Sequence, residues 1–201
     1  MIGEIIREVK DGMLGRMADE SSNVSFLLEA VEAAGDGDYL EIGVLHGGSL
    51  CAAALLKRRL GHKGKCYGID PLNGYYIEKC PWRKNGLDIE SKIPVTPETV
   101  AENLRRFRLE HSVEIIQANS HPLPEAAKRK YAVAYIDGNH WGDGPINDWL
   151  NVSPLVTRFV VFDNYDGKHP DVLKTCNEAA TDKHWEIYLR RGITFILQRA
   201  A

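Results

Sequence analysis

Apolar residues fall into two kinds of pattern along the 201-residue chain. At helical spacing they predict amphipathic helices over residues 21–34, 49–60, 96–108 and 171–181. As short runs bounded by glycine, proline or aspartate they predict strands over residues 39–42, 65–69, 113–117, 132–136 and 159–162, and then a closing hairpin of residues 185–189 and 193–197 about a turn at 190–192. Strands and helices therefore alternate through most of the chain.

This alternation predicts an α/β fold, because parallel strands need helical crossovers and are buried on both faces. We expect a Rossmann-like, doubly wound sheet of seven strands, mostly parallel, with one antiparallel strand contributed by the C-terminal hairpin. Two helix starts carry capping signals: Ser22 or Asn23 for the first predicted helix, and Thr96 before Pro97 for the third.

The length suits a single domain spanning residues 1–201. Residues 72–94 show no clear period and contain Tyr75, Tyr76 and Trp82. Irregular segments of this length are typical of lids and binding loops, so we predict a lid or substrate loop here. The same aromatic side chains would equally suit packing of the loop onto the body or a subunit contact.

Composition excludes several classes of function. A net charge of −3 argues against nucleic acid as the main partner, since a phosphate backbone requires a basic face. The four cysteines include no CxxC pair, which disfavours a zinc site. No apolar run approaches the length of a membrane span, and the amino terminus does not resemble a signal peptide. We expect a soluble protein of the reducing cytoplasm, and homodimerisation stays open.

The first predicted strand leads into a glycine turn, YLEIGVLHGGSL, with Gly43 and Gly47 before a helix. Such a turn lets a ligand approach the backbone, and the helix amino terminus attracts an anion. The pattern is not G-x-G-x-x-G, and plain turn chemistry would also account for it. Asp70 ends the second predicted strand, where an acid can accept hydrogen bonds from two ribose hydroxyls, as in NAD-binding proteins.

The motif E-x-G-x-x-x-G-G-S, followed by a strand that ends in Asp-Pro, resembles the class I S-adenosylmethionine-dependent methyltransferases. The resemblance implies that Gly43 and Gly47 approach the methionine part of the cofactor, that Ser49 binds its carboxylate and that Asp70 holds its ribose. Asn119 and Ser120 would lie near the adenine. The complete cofactor-binding set implied is Glu41, Gly43, Gly47, Ser49, Asp70, Asn119, Ser120 and Asp137.

The segments YIDGNH and VVFDNY resemble the metal-dependent O-methyltransferases of the catechol and macrolide-sugar types, and within them the methyltransferase domain 24 family. Their oxygen-bearing residues here are Asp137, Asp163 and Asn164. Two carboxylates and an amide carbonyl are hard donors that suit Mg²⁺ or Mn²⁺, and neighbouring strand ends are close enough to share one ion. Each aspartate alone could instead be structural, and Asp163-Asn164 could begin a turn.

His140 follows Asp137 by three positions, where the macrolide-sugar type also has a histidine. The resemblance implies that Asp137 and His140 are catalytic, with His140 taking a proton from a substrate hydroxyl; a solvated loop histidine is the alternative. The function expected is metal-assisted O-methylation of a small hydroxylated molecule such as a sugar, phenol or natural product. A metal-independent methyltransferase, an NAD(P)-binding oxidoreductase and a non-catalytic binding protein stay open.

Overall fold

A computed structural model describes residues 1–17, 22–73, 83–84, 87–88 and 91–200 of the chain. In chain order its elements are α1 (Ile2–Gly12), α2 (Asn23–Ala34), β1 (Tyr39–Ile42), α3 (Gly48–Leu60), β2 (Cys66–Ile69), β3 (Arg83–Lys84), β4 (Leu87–Asp88), α4 (Pro97–Arg106), β5 (Val113–Ile116), β6 (Tyr131–Ile136), α5 (Gly144–Val152), β7 (Val156–Phe162), α6 (Pro170–Ala179), β8 (Trp185–Arg191) and β9 (Thr194–Arg199). Single turns of 3₁₀ helix precede β6 and β7.

Seven of these strands form one sheet in the order β5-β2-β1-β6-β7-β9-β8. Strands β5, β2, β1, β6 and β7 pair in parallel, and β9 runs antiparallel to both β7 and β8. The predicted fold class is therefore confirmed, including the single reversed strand. Two helices that the sequence did not predict, α1 and α5, complete the layers.

Successive side chains of a strand point to opposite faces of the sheet, so apolar residues lie on both faces, and helices cover each of them. Tyr39 and Tyr135 pack into a core with α1, α2, α3 and α4, whereas Leu40 and Ile136 pack into a second core with α5 and α6. Short strands buried on both faces are what the apolar runs predicted.

One of the two predicted caps is confirmed. The Thr96 hydroxyl accepts a hydrogen bond from the Thr99 N–H at 3.3 Å at the start of α4. The cap predicted for α2 is wrong, because Ser22 has a left-handed backbone and makes no side-chain cap, and Asn23 already lies inside the helix.

The predicted lid, residues 72–94, falls largely outside the described residues, and so do Tyr75, Tyr76 and Trp82. Strands β3 and β4 lie within this segment and pair antiparallel, so it contains regular structure where the sequence predicted none. No helix in the described part of the chain is long and apolar enough to cross a membrane.

Candidate active site

The predicted site residues follow the carboxyl ends of adjacent strands, which is where open α/β sheets bind ligands. Gly43 follows β1, Asp70 follows β2, Asp137 follows β6 and Asp163 follows β7. The order β2-β1-β6-β7 is continuous in the sheet. These four residues therefore share one edge of the fold, as the sequence predicted.

Gly43 lets the ends of β1 and β6 approach closely. Its backbone φ is +88°, and a Cβ added there would lie 2.0 Å from the carbonyl oxygen of Asp137. Gly47 has a φ of +82° at the start of α3, but the nearest atom to an added Cβ is a side-chain carbon of Val100 at 3.5 Å. Gly43 is thus required for backbone packing, and Gly47 for backbone conformation alone.

Glu41 lies beneath the glycine turn and is fully buried. Its carboxylate accepts hydrogen bonds from the Tyr39 hydroxyl at 2.6 Å and the Ser49 hydroxyl at 2.8 Å. Burial outweighs these two bonds and raises the pKa of Glu41 to about 8. The Ser49 hydroxyl, predicted to bind a cofactor carboxylate, is directed to this buried acid.

Asp70 is also buried, and its carboxylate holds the glycine turn in place. Oδ2 accepts from the N–H groups of Val44 at 2.8 Å and Leu45 at 3.1 Å, and Oδ1 accepts from Leu72 N–H at 2.8 Å. The ribose-binding role of Asp70 stays a prediction.

The segment after β5 contains the residues predicted to lie near adenine. Asn119 is exposed and Ser120 is half-buried. His121 lies next to them, with its Nε2 3.1 Å from Oδ1 of the buried Asp148 on α5. This contact joins the segment after β5 to the helix that follows β6.

Asp137 and Asp163 occupy equivalent positions on neighbouring strands. Ile136 pairs with Phe162 in register, and the Asp163 N–H donates to the Ile136 carbonyl at 3.2 Å. Burial and, second, the negative charge of Asp137 raise the pKa of Asp163 to about 7. Asn164 follows with a left-handed φ of +58°, and the chain bends at Asp163.

His140 contacts the first of these acids. Its Nε2 lies 3.2 Å from Oδ1 of Asp137, and both side chains are partly exposed. Burial lowers the pKa of His140, but the hydrogen bond and charge of Asp137 outweigh it, so the pKa lies above its usual value. Because an ionised carboxylate can only accept, Nε2 carries a proton in this arrangement.

Two further side chains belong to this cluster but were not predicted from the sequence. Asn23, at the start of α2, donates to both carboxylate oxygens of Asp163 at 3.1 Å. The His169 ring packs edge-on against the His140 ring at a centroid distance of 5.0 Å, and its Nδ1 lies 2.9 Å from Oδ1 of Asp166. The contacts of Asn23 with Asp163 and of His169 with His140 could not be predicted from local sequence, because the partners are 140 and 29 positions apart.

The described residues include no group of three or more His, Cys, Asp or Glu side chains arranged to hold a metal ion. The predicted ligand set has only two such residues, Asp137 and Asp163, and depends on Asn164 for its third oxygen. Two carboxylates on adjacent strand ends, one of them buried with its pKa raised, nevertheless have the donor chemistry that a divalent cation requires.

Comparison with known proteins gives one family match and many structural ones. Residues 40–165 match the model of the Methyltransf_24 family, described as a methyltransferase domain. No curated protein sequence matches the chain.

Three solved structures illustrate the shared fold. The O-methyltransferase NovP is 17% identical with a TM-score of 0.76, over 100% of this chain and 98% of NovP. A putative caffeoyl-CoA O-methyltransferase from Staphylococcus aureus is 16% identical with a TM-score of 0.67, over 98% of this chain and 91% of that one. CalS11, a TDP-rhamnose 3'-O-methyltransferase of calicheamicin biosynthesis, is 15% identical with a TM-score of 0.62, over 98% and 92% of the two chains.

Proposed function

The chain belongs to the methyltransferase-domain family, and we propose that it transfers the methyl group of S-adenosylmethionine to a hydroxyl group of a small molecule. We propose further that a divalent ion, Mg²⁺ or Mn²⁺, assists the reaction and is held by Asp137, Asp163 and Asn164. The observation that carries this proposal is the register of β6 and β7, which places two carboxylates side by side with His140 bonded to one of them. The family match decides against the NAD(P)-binding alternative.

The donor set fits the ion. Two neighbouring carboxylates repel each other, and the repulsion contributes to the raised pKa of Asp163. A divalent cation would offset that repulsion and would prefer these oxygen donors to the sulfur ligands of a zinc site. When bound, such an ion lowers the pKa of a coordinated hydroxyl group.

His140 supplies the proton acceptor. With Nε2–H donating to Asp137, the neutral ring has its lone pair on Nδ1. His140 takes the proton of the substrate hydroxyl while the oxygen forms a bond to the methyl carbon and the carbon–sulfur bond breaks. The products are a methyl ether and S-adenosylhomocysteine, and the proton stays on His140 until solvent accepts it. A positioned general base contributes about 10²–10⁴-fold to the rate.

The cofactor would lie along the ends of β1, β2 and β5. The first N–H groups of α3, which have no partner within the helix, would face the methionine carboxylate next to Gly47 and Ser49. Asp70 would hold the ribose, and Asn119 and Ser120 would contact the adenine. Glu41 would act from beneath, by holding the Ser49 hydroxyl.

The acceptor class rests on the solved structures that share the fold. They include a putative caffeoyl-CoA O-methyltransferase and a TDP-rhamnose 3'-O-methyltransferase. Both act on oxygen, which favours a phenol or sugar hydroxyl as the acceptor here.

Metal-independent methyl transfer is the second candidate. It is favoured by the absence, in the described part of the chain, of three His, Cys, Asp or Glu side chains grouped as metal ligands. In that mechanism the His140–Asp137 pair would deprotonate the acceptor without help.

Radiolabelled S-adenosylmethionine and a panel of phenolic and sugar-nucleotide acceptors test the proposal. We expect EDTA to abolish methyl transfer and Mg²⁺ or Mn²⁺ to restore it. His140→Ala should lower kcat about 10²–10⁴-fold while the affinity for S-adenosylmethionine stays the same. His111→Ala is the matched control, because His111 is exposed and precedes β5, at the opposite edge of the sheet.

Activity that survives EDTA would establish the metal-independent mechanism. Thermal stabilisation by NADH but not by S-adenosylmethionine would refute the cofactor assignment itself.

A further inference from the structure

Asn23 joins the N-terminal part of the chain to the proposed metal site. It is 2% exposed, and its Nδ2 lies 3.1 Å from both Oδ1 and Oδ2 of Asp163, 140 residues away. An amide nitrogen has two hydrogens and can only donate, so one amide group can bind both oxygens of the carboxylate. Asn23 lies outside residues 40–165, which the family model matches.

The oxygen of the Asn23 amide does not explain why an asparagine stands at this position. Asn23 Oδ1 is buried and has no hydrogen-bond partner among the described residues, and Asn23 does not cap α2. A buried polar atom without a partner costs about 1–3 kcal/mol. Helix stability therefore does not explain an asparagine here, whereas the paired bonds to Asp163 do.

We infer that Asn23 is a positioning residue that fixes the orientation of the Asp163 carboxylate for binding the divalent ion, an inference that rests on the proposed function. Two bonds from one amide restrict rotation of the carboxylate about its Cβ–Cγ bond. The Asn164 N–H also donates to this carboxylate. Of the roughly four acceptor positions of a carboxylate, these bonds leave one for the ion. Hydrogen bonds of this kind to ligating carboxylates typically contribute 10–100-fold to metal affinity.

Mn²⁺ binding to the cofactor-free protein, followed by electron paramagnetic resonance, tests this inference independently of catalysis. Asn23→Leu removes both bonds at nearly constant volume, and Asn23→Ser keeps one donor. We expect the Kd for Mn²⁺ to rise about 10–100-fold in Asn23→Leu and by a smaller factor in Asn23→Ser. Thermal unfolding shows whether each variant is folded, and Asn23→Ser carries the test if Asn23→Leu is not.

Asn103→Leu is the matched control. Asn103 is also a fully buried asparagine that ties the N-terminal segment to the core, through bonds to Leu14 and to the His46 carbonyl. It makes no contact with Asp163 in the structure, so Asn103→Leu should lose stability but keep its Mn²⁺ affinity within about twofold of wild type, well below the 10–100-fold expected for a bond to a ligand.

The possible outcomes distinguish a failure of this inference from a failure of the proposed metal site on which it rests. Wild-type Mn²⁺ affinity in folded Asn23→Leu or Asn23→Ser protein would overturn the positioning role and leave the metal site in place. An equal loss of affinity in Asn103→Leu would also overturn it, because general loosening would then explain the effect. Wild-type protein that fails to bind Mn²⁺ would refute the metal site and the role of Asn23 together.

Discussion

Replacing Gly43 by alanine tests the close approach of β1 and β6. The new Cβ would lie 2.0 Å from the Asp137 carbonyl oxygen, on a backbone with φ of +88°. A left-handed conformation costs a non-glycine residue about 1–2 kcal/mol, and overpacking a close-packed region costs about 1–3 kcal/mol. We therefore expect Gly43→Ala to lower the free energy of unfolding by about 2–5 kcal/mol. For a domain of this size, that loss lowers Tm by on the order of 5–20 °C.

Urea unfolding of three alanine variants separates the two contributions to this loss. Gly61 has a φ of +74° with no atom within 4 Å of an added Cβ, so Gly61→Ala should cost only the conformational part, about 1–2 kcal/mol. Gly47→Ala should resemble Gly61→Ala, because its nearest neighbour is at 3.5 Å. If Gly43→Ala proves as stable as Gly61→Ala, the described contact between the two strand ends is wrong.

Three further predictions concern stability. The pKa of Glu41 is about 8 in the folded protein and about 4.3 in the unfolded chain. The folded state therefore binds more protons between these values, and the free energy of unfolding falls as pH rises from about 5 to about 8. Glu41→Gln should reduce this fall in urea unfolding curves recorded across that range, and an unchanged dependence of the unfolding free energy on pH would contradict the raised pKa. Hydrogen bonds from the N–H groups of Gly64 and Lys63 lower the pKa of Asp36 to about 2, so the stability that the ionised Asp36 contributes is lost only as pH falls from about 4 to about 2. Asp36→Asn should therefore reduce the loss of stability with falling pH in that window, which acid unfolding followed by circular dichroism can measure. Thr96→Ala removes the cap of α4 and should cost about 1 kcal/mol by urea unfolding without changing methyl transfer; a loss of activity at constant stability would show that Thr96 has a second role.

The sheet was predictable because its strands are short, apolar and bounded by residues that end strands. Strand β7 begins three residues earlier than predicted. The prediction missed its start because Thr157 and Arg158 are exposed polar residues that interrupt the apolar run. Helix α5 escaped prediction because Asn147, Asp148 and Asn151 are weak helix formers, and packing of its buried face decides the outcome.

Helix α1 is a different case. Ile2, Ile5, Ile6 and Val9 fall at helical spacing, and the last three are buried. The signal was therefore in the sequence, but the many charged residues between these positions obscured it.

The candidate site, like the fold, could be predicted only in part from the sequence. Residues at strand ends could be placed from the sequence, because parallel strands bring their carboxyl ends to one edge. The contacts of Asn23 with Asp163 and of His169 with His140 could not, since they depend on how α2 and the segment before α6 pack against that edge. The burial that raises the pKa of Glu41 and Asp163 likewise appears only in three dimensions.

The strand order has a consequence for engineering. The chain builds β1, β2 and β5 outward on one side and β6, β7 and the terminal hairpin outward on the other. Most residues proposed to bind the methyl donor precede β6, and those proposed to activate the acceptor follow Ile136. Chimeras joined just before Tyr131 should therefore exchange acceptor preference between relatives while retaining the donor half. The bond from Asn23 to Asp163 crosses that junction, so each exchanged half must carry, at position 163, a residue that accepts this bond from Asn23 of the retained half.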